Sequence, residues 1–258
     1  MVTSPETRMV FGVDPAAYLR GRPPYPPDVI QRVVERCGLG PGTATLEIGP
    51  GAGQATAELL DHGAAPYLAV EPDPSFAAFL EHRFGSRIGV LNEPFESALV
   101  DTAAFDLAIA ATAWHWVDQN CGLPKLARSL RSGGWWAVWW TEHGEPDRKD
   151  ELHAALTPIL GEDGPSPQAL FCFDREARRR DLQATGAFGQ VEVDEWRWPL
   201  ELDPERARAL FATFSPILAQ PPAERERTLD AIAGTVARDF GGICVRTCTT
   251  ILYTAQRR

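Results

Sequence analysis

Apolar positions along the chain switch between two spacings over residues 28 to 140, and the switching stops beyond that point. Val29, Ile30, Val33, Val34 and Cys37 recur at the three-to-four interval of one helical face, and Gly38 stands where a left-handed C-terminal cap belongs. An amphipathic helix is predicted there. Thr45 to Ile48 reads as a short apolar strand, Ala55 to His62 as a helix closed by Gly63, and Tyr67 to Val70 as a second strand. Asp73-Pro74 supplies a cap and a first-turn proline to the next helix, with Phe76, Phe79 and Leu80 as its buried stripe. Ile88 to Leu91 and Phe105 to Ala111 predict two more strands. A helix over Leu123 to Leu130 then leads through Ser132-Gly133-Gly134 to a fifth apolar run, Trp135 to Trp140. Five strands alternating with helices specify an α/β fold with a parallel, doubly wound sheet, and ligands of such sheets bind at the carboxyl ends of the strands.

Residues 141 to 187 are polar and loop-rich, with helices predicted at Asp150 to Leu160 and Asp174 to Thr185. Val191 to Leu200 alternates as a strand, Asp203-Pro204 caps a helix carrying Leu210, Phe211 and Phe214, Ala223 to Phe240 forms another helix, and Ile243 to Ala255 is β-rich. Residues 1 to 27 carry Phe11, Tyr18, Arg20, Arg22 and Tyr25 among Pro23, Pro24, Pro26 and Pro27. Prolines this dense exclude a regular helix or central strand, so the segment is expected to cross a surface as an arm. No repeat or linker divides the chain. A single domain follows, with arm and first helix at 1–40, core at 41–140 and a C-terminal part at 141–258 that holds a helical excursion at about 203–240.

With a formal net charge of -10 over 258 residues, the chain lacks the clustered cations that nucleic-acid binding requires, which favours a small-molecule ligand. The basic run Arg175 to Arg180 is read as a solvated helix face. Five cysteines at irregular spacing argue for reduced thiols, and Cys244 and Cys248 share one strand face without a histidine to complete a zinc set. No metal site is expected. No apolar run approaches the roughly 20 residues a membrane span needs, so a cytoplasmic monomer or homodimer is expected. Lys125 and Lys149 stand against many arginines, a usage that fits a bacterial, GC-rich source.

The chemistry concentrates at the predicted strand ends. Thr45 to Ile48 runs into Gly49, Gly51 and Gly53, with Glu47 two places before the first glycine. Such a turn admits close approach of a ligand to backbone, beside the free N–H groups of the following helix. A dinucleotide fingerprint would place its third glycine at position 54, where the chain has Gln54. Glu71 ends the second strand and can accept hydrogen bonds from both hydroxyls of a ribose. Asn92-Glu93-Pro94-Phe95-Glu96 follows the third, and Thr112-Ala113-Trp114-His115-Trp116-Val117-Asp118 follows the fourth.

Leu46 to Gly53, together with the Trp114-His115-Trp116 segment and the Tyr18-x-x-x-Arg22-Pro23-x-Tyr25-Pro26 arm, resembles class I S-adenosylmethionine (SAM) methyltransferases, in particular the type 11 and trans-aconitate methyltransferase-like group acting on small molecules. The resemblance is close over residues 11 to 140 and looser beyond. It implies a Rossmann-like seven-stranded sheet whose last strand is antiparallel and inserted, with the helical excursion as an acceptor lid. By the same resemblance Arg22 meets the methionyl carboxylate, Tyr18 closes that pocket, Glu47, Gly49, Gly51 and Gln54 form the donor loop, and Glu71 with Pro72 holds the ribose. Glu93 and Phe95, by ring or backbone, are the adenine candidates, although Pro94 replaces a residue that is polar in many relatives. Ala111 backbone lies beside the sulfonium, and His115 faces the acceptor as a base or as an orienting group. Tyr25, Trp114, Trp116, Trp140 and Phe214 are the acceptor-lining candidates, with Trp139, Thr213 and Ser215 near them. The implied reaction is in-line displacement at the SAM methyl by a carboxylate or hydroxyl oxygen. Three alternatives stay open: a SAM-binding protein of this fold without methyl transfer, an NAD(P)-dependent oxidoreductase, and an interaction module built on the eight tryptophans.

Overall fold

The computed structural model describes residues 11–144, 150–161 and 167–258. The first ten residues of the arm, and residues 145–149 and 162–166 of the polar stretch, lie outside it. The elements are α1 (Pro15–Gly21), α2 (Pro27–Cys37), β1 (Thr45–Ile48), α3 (Gln54–Asp61), β2 (Tyr67–Val70), α4 (Pro74–Phe84), β3 (Gly89–Leu91), β4 (Phe105–Ala111), α5 (Gln119–Ser129) and β5 (Leu130–Glu142). They continue as α6 (Glu151–Leu160), α7 (Pro167–Phe173), α8 (Arg175–Ala184), β6 (Phe188–Leu202), α9 (Pro204–Phe211), α10 (Ser215–Leu218), α11 (Pro222–Asp239) and β7 (Cys244–Arg257).

The described residues form one seven-stranded sheet ordered β3-β2-β1-β4-β5-β7-β6. β1 pairs in parallel with β2 and β4, β4 pairs in parallel with β5, and β7 inserts antiparallel between β5 and β6. The doubly wound sheet with an inserted antiparallel last strand is therefore as expected. The reversal of strand order at β1 and β4 opens a crevice above their carboxyl ends, where ligands of open α/β sheets settle.

Local signals set most element boundaries. Asp73 accepts hydrogen bonds from the N–H of Ser75 at 2.8 Å, Asp203 does the same for Arg206 at 2.7 Å, and Gly38 ends α2 at φ 71°. The arm, expected to be without a regular helix, carries α1, which the Asp14 side chain caps by accepting from the Ala17 N–H and which ends before the prolines at 23 to 27 begin. Two further features depart from the sequence reading. Ser132-Gly133-Gly134 lies inside β5 as an irregular stretch: Phe105 pairs with Leu130 but Leu107 pairs with Trp135, so several residues bulge out at once. A Cβ on Gly134 would crowd the carbonyls of Arg131, Phe105 and Asp106 at 3.0 to 3.2 Å, which explains a glycine in a strand. The other is α7, whose seven residues are too few to show a helical period; its Cys172 is buried against the sheet.

Period-two alternation along β5 drives Trp136 and Trp140 into one face of the sheet and Trp139 into the other. Each ring is at most 1% exposed and removes on the order of 200 Å² from water, worth about 5 kcal/mol by area. A third apolar cluster, with Leu152, Leu210, Phe211 and Ile232, joins α6 to the excursion of α9 and α11. That excursion meets the arm: a Cβ added to Gly21 of α1 would lie 2.4 Å from the carbonyl oxygen of Ala209 in α9. All five cysteines are free, and burial pushes the Cys37 and Cys248 thiols up to about 12. The Arg175–Glu195, Arg178–Asp181 and Arg179–Glu176 ion pairs tie up the basic run of α8. Among the described residues no helix is long and apolar enough to cross a membrane, and no group of three His, Cys, Asp or Glu side chains could hold a metal ion.

Candidate active site

The turn from β1 to α3 is pinned on both sides. Gly49 donates its N–H to the Val70 carbonyl at 2.9 Å and has φ 67°, and a Cβ there would come within 2.6 Å of the Ala113 Cβ. Glycine at this position is required by packing and by backbone together. At Gly51, φ is 56° and no atom stands within 4 Å of a would-be Cβ, so the left-handed backbone alone demands glycine and the adjacent space stays open.

Glu71 faces this turn from the end of β2. Its two carboxylate oxygens accept from the N–H groups of Gly51 at 2.9 Å and Asp73 at 3.0 Å, and burial, acting against those two donors, pushes it up to about 7. Next to it, Pro72 is held by Asn92, whose amide donates to the carbonyls of Glu71 at 2.8 Å and Pro72 at 3.2 Å.

Glu47 is placed differently from its sequence reading. Its carboxylate turns inside the sheet, where Thr56 and Tyr67 both donate to one oxygen at 2.5 Å and the other oxygen has no partner. It braces β1, α3 and β2 and is not presented to a ligand. Burial raises it to about 7. A carboxyl raised in the folded state is stabilising while protonated, and that contribution is lost as pH climbs through the folded value. The thermal midpoint of the protein is therefore expected to carry a falling component between about pH 4.5 and 7, and Glu47→Gln to flatten it. An unchanged pH dependence in the variant would contradict this role.

The arm crosses over the crevice. Tyr18 packs edge-on to Phe76 at 5.4 Å, and Tyr25 packs edge-on to Trp139 at 5.6 Å while its hydroxyl meets the Thr112 hydroxyl at 3.2 Å. Arg22 lies between the Tyr18 and Phe214 rings, 5.3 and 5.0 Å from their centroids, and donates to the Thr213 carbonyl at 3.2 Å. Its Nε is buried without a hydrogen bond, and no carboxylate of the described residues pairs with it. The Gln54 amide reaches the Arg22 carbonyl at 3.4 Å. Thr112, immediately after β4 and Ala111, sits at φ 57°, a costly conformation for a β-branched residue, held there by its N–H bond to the Trp139 carbonyl at 2.7 Å. Arg22, Tyr25, Gln54, Thr112, Thr141 and His143 line one cavity.

The segment after β4 corrects several assignments. Trp114 is 2% exposed and packs on Trp136 at 4.8 Å, so it belongs to the core and lines no acceptor space. The Phe95 ring is equally buried beside it, and the Phe95 carbonyl accepts from Lys125 at 2.5 Å; neither ring nor carbonyl is free, whereas Glu93 is exposed. Trp140 is fully buried and donates its indole N–H to Nδ1 of His115 at 3.1 Å. With Nδ1 accepting, the neutral ring carries its proton on Nε2 and offers a donor. Burial and the Arg22 charge push His115 down to about 3, which unsuits it as a base. His115 is an orienting donor, with Trp116 against it at 4.9 Å.

Thr112, Thr141 and His143 escaped the sequence reading. The one signal for the last two was that β5 continues past Trp140, so Thr141 and His143 stand at a strand end.

Residues 46–138 match the model of the methyltransferase domain family. The chain is similar to an uncharacterised methyltransferase of Mycobacterium tuberculosis, 29% identical over 227 residues, which cover 88% of this chain and 85% of that protein. Among solved structures it is similar to a type II methyltransferase from Anaeromyxobacter dehalogenans, with a TM-score of 0.61, 22% identity and 92% and 96% of the two chains covered. It is also similar to the phosphoethanolamine N-methyltransferase 2 of Haemonchus contortus in complex with S-adenosyl-L-methionine, with a TM-score of 0.58 and 14% identity. That match takes in 95% of this chain, which spans 57% of the Haemonchus protein. These likenesses give the fold of class I methyltransferases.

Proposed function

We infer that this chain, whose residues 46–138 are a methyltransferase domain on the class I fold, is a SAM-dependent methyltransferase acting on a small-molecule acceptor. The observation that carries this reading is the left-handed glycine turn of β1–α3 facing the buried Glu71 carboxylate across open space at Gly51. The NAD(P) alternative gives way to the family match and to the fold.

The residues present fit the cofactor. Arg22 brings a half-buried guanidinium with an unused Nε, suited to the methionyl carboxylate, and Glu71 is suited to the ribose hydroxyls. Gly49, Gly51 and Gln54 would line the amino-acid part, Pro72 the ribose, and Ala111 backbone the sulfonium. The adenine edge would be met by exposed groups near Glu93 and by the Phe95 backbone N–H, since the Phe95 ring and carbonyl are engaged elsewhere. SAM supplies a methyl already activated by its sulfonium. The chain's task is then to hold the acceptor in line and keep water out, which the arm and the α9–α11 lid accomplish by meeting over the crevice. His115 donates from Nε2 to position the acceptor, and Trp116 and Phe214 flank it. The net charge of -10 supports a small acceptor over a nucleic acid.

Calorimetric titration with S-adenosylhomocysteine (SAH) tests the reading: micromolar binding is expected, and a dissociation constant weaker than about 1 mM would overturn it. Arg22→Ala is expected to weaken SAH about 10- to 100-fold through loss of a charge-assisted pair, with Arg22→Lys recovering part. Equal SAH affinity in all three proteins would remove Arg22 from the cofactor site.

A further inference from the structure

The loop after β3 carries the base candidates of the proposed cofactor, and a cation from α5 gathers its carbonyls. Lys125 is one of two lysines, with Lys149, in a chain otherwise charged by arginine. Its ammonium donates to the Phe95 carbonyl at 2.5 Å and to the Ala98 carbonyl, reaches the Glu96 carbonyl at 3.5 Å, and stands 5.0 Å from the centroid of the Phe95 ring. Carbonyls of one turn repel each other when they converge. An ammonium with three N–H donors on one atom satisfies all of them, where a planar guanidinium fork would not. The turn is closed from within as well: the N–H groups of Ser97 and Ala98 end on the Pro94 carbonyl at 3.0 Å, joined by the Ser97 hydroxyl at 3.1 Å. At the other end of α5 the Asp118 N–H donates to the Glu96 carboxylate at 3.0 Å, so this helix grips the loop twice.

Resting on the methyltransferase reading, we propose that Lys125 is a positioning residue for the cofactor's base: by fixing the turn from Pro94 to Ala98 it aims the Phe95 N–H at the purine, and so makes the site prefer a 6-aminopurine over a 6-oxopurine. The peptide plane supplies the direction. The N–H and C=O of a trans peptide point opposite ways, and the Pro94 carbonyl faces into the turn, so the Phe95 N–H faces out of it. The turn also starts in the right place. Asn92 is bonded to the carbonyls of Glu71 and Pro72, and Glu93 and Pro94 follow it on the surface, so the chain passes from the ribose carboxylate directly to Phe95. The Phe95 ring, 2% exposed against Trp114, anchors one side of that residue, and Lys125 anchors its carbonyl.

Selectivity follows from what the fixed donor meets. The ring nitrogen next to the amino-bearing carbon of adenine accepts a hydrogen bond, whereas the same nitrogen of hypoxanthine carries a proton, so a held N–H pairs with the first and opposes the second. Without the ammonium, the Phe95 and Ala98 carbonyls lose their donor and the peptides turn toward water to recover one. The Phe95 N–H then no longer keeps one direction, and the difference between the two purines shrinks. An anchor that merely fastened α5 to the loop would change the binding of both purines alike.

The test compares wild type, Lys125→Met and Lys125→Arg by calorimetry with SAH and with S-inosylhomocysteine, its 6-oxopurine analogue, and thermal unfolding checks that each protein folds. Wild type is expected to bind SAH about 10-fold or more tightly than the inosyl compound, the scale of one donor left facing another. Lys125→Met is expected to bind SAH about 10-fold more weakly than wild type and to hold the two ligands within about 3-fold of each other. Lys125→Arg keeps the charge and serves part of the carbonyl set, so its preference is expected to fall between the two, and it decides the matter if Lys125→Met does not fold. A preference for SAH that is undiminished in the folded variants, both ligands weakening in equal proportion, overturns the proposal alone, as does a wild type that binds the two ligands equally. A wild type that fails to bind SAH overturns the underlying methyltransferase reading, and the proposal with it.

Discussion

Glu71→Ala will bind SAH about 100-fold or more weakly than wild type. A ribose diol would place two hydroxyl donors on this carboxylate, and hydrogen bonds to a charged acceptor are worth roughly 1.5 to 3 kcal/mol each, so their joint loss amounts to about 3 kcal/mol or more. The variant also strands the Gly51 N–H, which now ends on Glu71 at 2.9 Å, and so loosens the turn itself. Glu71→Gln keeps an acceptor for Gly51 and is expected to fall between the two. The wild-type carboxyl sits at about 7, and donors bind its ionised form, so affinity rises as pH climbs from 6 to 8. Methylthioadenosine, which has the nucleoside but neither amino nor carboxyl group, isolates this dependence in calorimetry. A pH-independent affinity for methylthioadenosine, or a Glu71→Ala protein that binds SAH normally, would take Glu71 out of the ribose site.

Gly49→Ala will cost about 3 kcal/mol of stability and most of the cofactor affinity. The added methyl meets the Ala113 Cβ at 2.6 Å, and the residue must also hold φ 67°, a left-handed backbone that penalises any side chain by roughly 1 to 2 kcal/mol. The two causes separate in a double variant. Ala113→Gly removes the collision and leaves the backbone cost, so Gly49→Ala with Ala113→Gly should regain the steric share in thermal unfolding and part of SAH binding. Strict additivity of the two substitutions would show that the turn does not press on the segment after β4.

The glycine turn, Glu71 and the strand-helix alternation were legible because each is a local matter: a period, a cap, or a residue type that a backbone angle demands. The inserted antiparallel β7 was legible through resemblance, not through spacing. Side-chain direction was not legible. Trp114, Phe95 and Trp140 stand in or beside the expected site segments, yet the sheet draws all three into its core, and nothing in the residue order distinguishes an aromatic that faces a ligand from one that faces a neighbour. Glu47 was misplaced for the same reason: its partners Thr56 and Tyr67 come from two other elements. The fate of His115 depended on an indole 25 residues away, and that of His143 on how far β5 runs past its last tryptophan. Thr112 carries its strain in a backbone angle that its neighbours in sequence do not announce.

The seam between arm and lid determines how this protein can be altered. On one side Gly21 abuts a backbone carbonyl of α9, and backbone cannot retreat from an added methyl as a side chain can. On the other side the wall is Phe214, half-buried, its ring set against Arg22, His143 and Phe211. Changes at this wall are therefore channelled through position 214: trimming that ring opens space beside His143 and gives up its contact with Arg22, while the Arg22 bond to the Thr213 carbonyl and the approach of Gly21 to α9 still hold the seam. Variation at position 21 risks the closure that both ligands share.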